Sequence, residues 1–463
     1  MIFMSLALAS CLLVSQTVAA APPENTLTLD EAWLAGLRGS FAIADARDSL
    51  RAAGILEFDA KARFFPKVTP SYFNGPNEHG WSIEASQALP WTGGDLRATR
   101  TTRTFEGVDT PSARLNDTTF TWSQPLLRGA GPNASLYELR NARRAREAQE
   151  RNLVLSKQRL LIDIARAYYQ TTAQRQLLEA ARQSASRSAA LRQASEARLD
   201  VGLSNKLDVY RAQLSEAQAE QTAVQAETAL RSALERFRIL IGRSPSDPVE
   251  PARVDIEPPR ADSTESVESL VGAALERRLD LAETREQIED ARRASSLSRQ
   301  NLLPDMSLNV RFTDQRSAFP TGPFQVNTKR WESFLSASLP LERAADVARV
   351  QLSGIEVKSR ERFYEQRRYE VEAEVRAVHR DLGSLLRSIQ TQQGAVDIAD
   401  QQLRLANLRY QRGLASNFDV VDAEGSLLAA RGALAQLLAA WQVARLDLER
   451  AVGRLNVDLE PRP

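Results

Sequence analysis

The sequence predicts a mainly α-helical protein with a smaller β-sheet portion, assembled from two copies of one unit. Three observations support this fold class: a segment that occurs twice, long proline-free stretches with helical periodicity, and shorter stretches in which apolar residues alternate. The 463 residues suffice for two or three ordinary domains, but a duplicated chain can also form one elongated body.

The duplicated segment is easiest to follow from two glycines, Gly202 and Gly413, which lie 211 positions apart. Each glycine is followed by leucine, and after a further short interval by an aspartate and a valine; the aspartates are Asp208 and Asp419. The same offset aligns further pairs: Ala212 with Ala423, Ser215 with Ser426, and Gly242 with Gly453. A gapless match of this kind indicates an internal repeat, with residues 22–255 and 256–463 as its two copies.

Each copy contains a long helical stretch interrupted by its glycine. No proline occurs between Pro132 and Pro245 or between Pro340 and Pro461. Glycine adopts positive φ readily, so each glycine predicts a turn between two antiparallel helices. The two predicted helical hairpins span about 133–242 and about 344–454. At 1.5 Å per residue, the stretch of about 69 residues before each glycine reaches about 100 Å. The apolar stripe of the last helix has steps of three and four, as in a coiled coil: Val420, Ala423, Leu427, Ala430, Leu434, Leu437, Trp441, Ala444 and Leu448.

Outside the helical stretches the apolar period changes to two, which predicts strands with one apolar face at about 66–125 and about 305–340. The alternation is clearest in three runs: Thr118 to Gln124, Met306 to Phe312, and Trp331 to Leu339. The first strand region is longer and contains an added hairpin, 81–89 with 95–105, so the chain has four or six strands. Candidate aromatic residues for a lipid interface are Trp81, Trp91, Trp122, Phe324 and Trp331.

The N-terminus predicts export. Residues 1–21 are largely apolar and end in three alanines, as in a signal peptide. The only cysteine, Cys11, follows Leu8-Ala9-Ser10, so a lipid-anchored alternative stays open beside simple cleavage. No unbroken run of 18 apolar residues follows, so a membrane-spanning form is expected to be a closed β-barrel rather than a helix.

Composition disfavours several functions. The formal net charge of +1 gives no electrostatic reason to bind nucleic acid. The two histidines, His79 and His379, stand in no metal or triad spacing, and the chain has no glycine-rich phosphate loop. We therefore expect no enzyme, cofactor or metal site. The alternative function is an exported structural coiled-coil protein, which would account for the helices but not for strands placed between repeats.

The duplicated segment reads G-L-x-S-x-x-D-V in the second copy, and the first copy has Asn205 in place of the serine. Together with Gln124 to Gly129 and Leu339-Pro340-Leu341 after strands, it resembles the TolC-like outer-membrane efflux proteins. The resemblance covers the whole mature chain and implies a homotrimer. Its strands would share one outer-membrane β-barrel in contact with lipid, and its helical hairpins would form a periplasmic tunnel. The implied partners are a periplasmic adaptor protein and an inner-membrane pump, for efflux or type I secretion.

The resemblance also implies two functional sites. Adaptor docking would map to the hairpin tips at Gly202, Leu203, Ser204, Gly413, Leu414 and Ser416. A periplasmic gate would map to Asp208, Tyr410, Asp419 and Asp422, the aspartates forming acidic rings that favour cations. Acids in the first turn of a helix are also common for stability alone, so for Asp422 both interpretations stand. The family's arginine partner of the tyrosine falls on Ala415, and nearby Arg412 is its candidate replacement.

Overall fold

The computed structural model describes residues 25–106, 112–202, 204–254, 265–318 and 326–457. The predicted signal peptide with Cys11, the tip residue Leu203 and the aromatic residue Phe324 lie outside these ranges. The chain divides into two compact units: one comprises Met1–Gly36, Ile164–Glu257 and Val396–Ala439, and the other comprises Leu37–Asp163, Pro258–Ala395 and Ala440–Pro463. The prediction of a mainly helical chain is confirmed.

Four long helices dominate the chain. They are α4 (Tyr137–Asp200), α5 (Lys206–Leu240), α8 (Ala344–Gln411) and α9 (Asn417–Val452). Shorter helices are α1 (Leu29–Gly39), α2 (Phe41–Ala62), α3 (Pro132–Ser135), α6 (Val267–Arg277) and α7 (Leu279–Gln300). The long helices are uninterrupted because no proline removes a backbone donor from them, and acids in their first turns with arginine in their last turns favour the helix dipole.

The first unit contains both hairpin turns and a core between helices. One cluster joins Leu191 of α4 to Leu403 and Ala406 of α8 and to Val420 and Leu427 of α9. A second cluster joins α4 to α5 through Leu178, Ala181 and Ala226. Small residues in both clusters let the helix backbones approach closely. The short strands β1 (Thr26–Leu27) and β6 (Glu250–Pro251) pair in parallel in the same unit.

Helix α9 departs from one sequence expectation. Among the residues that the structure describes, it is the one helix long and apolar enough to cross a membrane by length and composition. No helical span was expected after residue 21, because no apolar run there is unbroken. Within the first unit, the apolar stripe of α9 packs against α4 and α8, as the stripe of a core helix does.

The second unit contains a six-stranded antiparallel sheet. Its strands are β2 (Lys67–Asn74), β3 (Glu78–Ala88), β4 (Asp95–Phe105), β5 (Ala113–Pro125), β7 (Asp305–Ala318) and β8 (Val326–Ser338), in the order β2-β3-β4-β5-β7-β8. In the described residues this sheet thus has six strands, the larger of the two numbers that the sequence left open. The sheet is open, with β2 and β8 at its edges.

The two faces of this sheet differ in polarity. One register row crosses all six strands with apolar residues only: Val68, Ala85, Ala98, Phe120, Phe312 and Trp331. The adjacent row, which points to the opposite face, is polar throughout: Thr69, Glu84, Thr99, Thr119, Thr313 and Arg330. The predicted aromatic residues Trp81, Trp122 and Trp331 share the apolar face, since their rows are separated by even steps.

The helical part of the second unit is held by an apolar cluster and a charge network. Helix α6 packs Leu270 and Ala274 against Val371 and Val375 of α8. Beside this cluster Arg278 donates to Asp280 at 2.7 Å and to Glu374 at 2.6 Å, and Arg367 also donates to Asp280 at 2.7 Å. Burial alone would raise the pKa of the Asp280 carboxyl, but the hydrogen bonds from both arginines outweigh it and hold this pKa well below its ordinary value.

Candidate functional site at the hairpin tips

The second tip is a tight helix-ending turn. Gly413 has φ 74°, in the left-handed region that favours glycine. Its N–H donates to the Tyr410 carbonyl at 3.0 Å, and the Leu414 N–H donates to the Arg409 carbonyl at 2.8 Å. This pair of bonds is the Schellman arrangement, which satisfies carbonyls at the end of α8. The Leu414 side chain is 66% exposed at the turn.

The first tip also contains a glycine at positive φ. Gly202 has φ 76°, and its N–H donates to the Leu199 carbonyl at 2.9 Å. The chain then enters α5 through Asn205, whose side-chain oxygen accepts from the Asp208 N–H at 2.9 Å. Asn205 is therefore the N-cap that starts the returning helix.

Two of the three predicted gate aspartates, Asp208 and Asp419, make hydrogen bonds at the starts of helices. The Asp419 carboxylate accepts from the Ser416 N–H at 2.9 Å and from its hydroxyl at 3.3 Å. The Asp208 carboxylate accepts from the Ser204 hydroxyl at 3.3 Å. Each acid also lies where the positive end of the helix dipole favours it. Asp419 and the following Asp422 are exposed in the single chain, so their charges face solvent.

Tyr410 lies apart from these acids, in the buried core of the first unit. Its hydroxyl is 2.9 Å from the Ser195 hydroxyl of α4. The Arg198 guanidinium lies over its ring, 4.2 Å from the centroid, and donates to the Gln411 carbonyl at 3.0 Å. The arginine that contacts Tyr410 thus comes from the other hairpin, whereas the sequence candidate Arg412 is exposed. Where the cation is partly exposed, as Arg198 is, a guanidinium over an aromatic face adds about 0.5 to 1 kcal/mol to the free energy of unfolding.

A second polar link joins the same pair of hairpins. Arg187 of α4 donates to Glu424 of α9 through Nε at 2.9 Å and Nη2 at 2.6 Å, which is a two-pronged arginine–carboxylate contact. Glu424 is only 7% exposed, so its charge depends on this partner. Neither residue was singled out in the sequence. The sequence signal that could have indicated this contact was Glu424, an acidic residue directly after Ala423 of the apolar stripe.

A third link runs from the second tip to the first. Asn417, at the start of α9, is 1% exposed, and its side-chain amide donates to the Asp208 carbonyl at 2.5 Å. The structure therefore brings Asp208 close to the second tip through its backbone. In the described ranges, no group of three or more His, Cys, Asp or Glu side chains is arranged to hold a metal ion.

Solved outer-membrane channels share this fold. The outer-membrane channel OprN is 20% identical, over 92% of this chain and 89% of its own, with a TM-score of 0.70. The outer membrane protein VceC of Vibrio cholerae is 19% identical, over 92% of this chain and 96% of its own, with a TM-score of 0.70. The CmeC outer membrane channel of Campylobacter jejuni is 12% identical, over 99% and 95%, again at 0.70. At identities this low, the similarity to these structures establishes the fold alone.

The sequence itself establishes the family. The profile of the outer membrane efflux proteins matches residues 80–243 and 270–454, which is well over half of the chain. The chain therefore belongs to the outer membrane efflux protein family. It is an efflux duct of the outer membrane with its helical part in the periplasm, in a family of transport proteins rather than enzymes. A comparison with curated protein sequences found no match.

Proposed function

We propose that three copies of this chain form the outer-membrane duct of a tripartite efflux or type I secretion system. The observation that carries the proposal is the open sheet of one chain. Strands β2 and β8 end it with unpaired edges, and an unpaired edge cannot face lipid because its backbone groups would lack hydrogen-bond partners. Closing the sheet with further copies removes both edges.

The two edges suit pairing between identical copies. All five neighbouring strand pairs are antiparallel, so β2 and β8 run in opposite directions and β8 of one copy can continue onto β2 of the next. The apolar row also runs from Val68 on one edge to Trp331 on the other, so the apolar face would continue around a ring. That face would meet lipid and the polar face would line water.

The assembly is tested by the mass of the purified protein in mild detergent. We expect a homotrimer, because a six-stranded sheet is too small to close even the smallest barrel of about eight strands. A folded monomer, with native far-UV circular dichroism and protease resistance, would contradict the proposal.

We further propose that the hairpin tips dock a periplasmic adaptor that delivers substrate from an inner-membrane pump. Leu414 supports this proposal, because an apolar side chain that is 66% exposed at a turn gains from a partner that covers it. Gly413 and Ser416 shape the same turn, and Gly202, Leu203 and Ser204 hold the equivalent positions in the first repeat.

The docking proposal is tested with Leu203→Glu and Leu414→Glu in one variant. We expect trimers to form normally and efflux to fall to the level of cells lacking the protein, measured as intracellular accumulation of an exported dye. The matched control is Gln402→Glu, which places the same charge on an exposed position of α8 away from the tip. Undiminished efflux in the double variant would remove the tips as the docking surface.

We propose that the aspartates Asp208, Asp419 and Asp422 form acidic rings at the periplasmic end of the duct, with Tyr410 helping to hold that end closed. Exposure of Asp419 and Asp422 in the single chain supports this role, since carboxylates facing a water-filled pore remain hydrated. The core contacts of Tyr410 with Ser195 and Arg198 support a holding role, because they join the two hairpins.

A further inference from the structure

The two repeats contribute different numbers of strands to the sheet. The second repeat supplies one up-and-down pair, β7 and β8, whereas the first supplies four strands, β2 to β5. The extra pair is the β3–β4 hairpin, which lies between β2 and β5 in the sheet order. An inserted hairpin can either fold away from a barrel or become part of its wall.

The pairing of the hairpin places it within the sheet. Strand β4 pairs with β5 over the whole of Asp95–Phe105, and β3 pairs with β4 over the whole of Glu78–Ala88. Ala85 and Ala98 continue the apolar row, while Glu84 and Thr99 continue the polar row. The apolar and polar faces of the hairpin thus continue those of β2 and β5. A hairpin folded outside the wall would not need this agreement in polarity.

A glycine–aromatic contact fixes the register between β2, β3 and β4. A Cβ atom at Gly80 would lie 2.6 Å from the Phe73 ring and would clash with the Thr102 carbonyl oxygen, so only glycine fits there. Phe73 lies opposite Gly80 in the pairing, and the Arg103 guanidinium lies 5.8 Å from the Phe73 ring centroid. An aromatic side chain covering a strand glycine is a device that pins strand register.

The turn between β3 and β4, residues 89–94, is hydrogen-bonded to the end of β5 and to the chain that follows it. The Thr92 carbonyl accepts from the Gln124 amide and from the Gly131 N–H, both at 2.9 Å. The Pro90 carbonyl accepts from the Ser135 hydroxyl at 2.5 Å. The hairpin is therefore anchored at its turn as well as along both strands.

We infer that the β3–β4 hairpin is part of the barrel wall, so that the barrel of this duct has 18 strands, three times six. The inference rests on the trimer of the proposed function. With strands about 4.8 Å apart and tilted about 40°, 18 strands give a backbone diameter of about 36 Å, against about 24 Å for four strands per chain.

The wider barrel has a consequence for cargo. The polar face carries serines and threonines together with acidic residues and arginines, so both signs of charge are present. Such a face suits a water-filled lumen that prefers neither cations nor anions. The membrane part of the duct would then not limit passage of large hydrated solutes. The hairpin is the element that sets this width.

The test is disulfide cross-linking across the seam between copies. The only cysteine is Cys11, so paired cysteines can be introduced without competition from the rest of the chain. One set combines Ser71→Cys on β2 with a cysteine at one of five polar-face positions of β8: Thr328, Arg330, Glu332, Phe334 and Ser336. The matched set combines the same Ser71→Cys with a cysteine at one of four positions of β5 on the same face: Asp117, Thr119, Thr121 and Ser123. Facing residues of adjacent strands have Cα atoms about 4.5 to 5.5 Å apart, within disulfide range.

We expect at least one β2–β8 pair to give covalent trimers on a non-reducing gel, and no β2–β5 pair to cross-link within a chain, because β3 and β4 lie between those two strands. Cross-links from β2 to β5 would show that the β3–β4 hairpin lies outside a wall of four strands per chain, and would overturn the inference while leaving the trimer intact. Failure of every pair in an intact trimer would also overturn it. A monomeric mass would instead defeat the proposed function. Counting strands by electron cryomicroscopy of the unmodified trimer gives the same decision without cysteines.

Discussion

The two hairpin tips share a glycine at positive φ, yet among the described residues only the second returning helix, α9, buries polar side chains near its tip. Both glycines adopt positive φ, and both returning helices begin with a capped first turn. Beyond the turn the repeats diverge. Asn417 and Glu424 are buried in the second hairpin, whereas their repeat equivalents, Lys206 and Gln213, are exposed.

The polar contacts between the two hairpins therefore depend on side chains of the second hairpin. Apolar stripes that contain many alanines pack closely, but apolar packing is not directional and does not by itself fix one relative position of two helices. The polar links from Asn417 and Glu424 to the first hairpin have defined geometry, and each leaves a buried polar group unpaired when it breaks. Breaking either contact therefore costs free energy beyond the loss of apolar packing between the hairpins.

The largest effect is expected for Arg187→Ala. Removing the guanidinium leaves the buried Glu424 carboxylate without its partner, and we expect the free energy of unfolding to fall by about 2 to 3 kcal/mol. This lies below the range for a fully buried pair because the Arg187 side chain is 39% exposed. The measurement is urea unfolding in detergent followed by circular dichroism. The control is Gln213→Ala, at the position in the first repeat that corresponds to Glu424. It should change the free energy of unfolding by less than about 0.5 kcal/mol. Equal losses in both variants would contradict the asymmetry.

A smaller effect is expected for Asn417→Ala. The substitution removes the amide that donates to the Asp208 carbonyl, and a hydrogen bond of this kind contributes about 1 kcal/mol. Lys206→Ala at the equivalent exposed position serves as the control and should unfold at the wild-type urea concentration. If Lys206→Ala proved as destabilising as Asn417→Ala, the tips would be equivalent in energy as well as in turn geometry.

Sequence patterns predicted what repeats or alternates, and missed what depends on contacts between distant segments. The glycine turns followed from an offset of 211 residues, and the strands followed from alternation around Trp122 and Trp331. The contact of Arg187 with Glu424 was not predictable, because those residues lie on different hairpins and only the fold brings them together. Strand number stayed open for the same reason: pairing of β3 and β4 within the sheet depends on long-range register.

The electrical behaviour of the purified protein tests the central account most directly. In planar bilayers we expect cation-selective channels that a multivalent cation blocks, more weakly at high salt because screening shortens the range of exposed charges. Substituting Asp419→Ala and Asp422→Ala together should remove the block and lower cation selectivity. Wild-type block and selectivity in this double variant would mean that these aspartates act only at the start of α9, and the absence of any channel in the wild-type protein would contradict the duct itself.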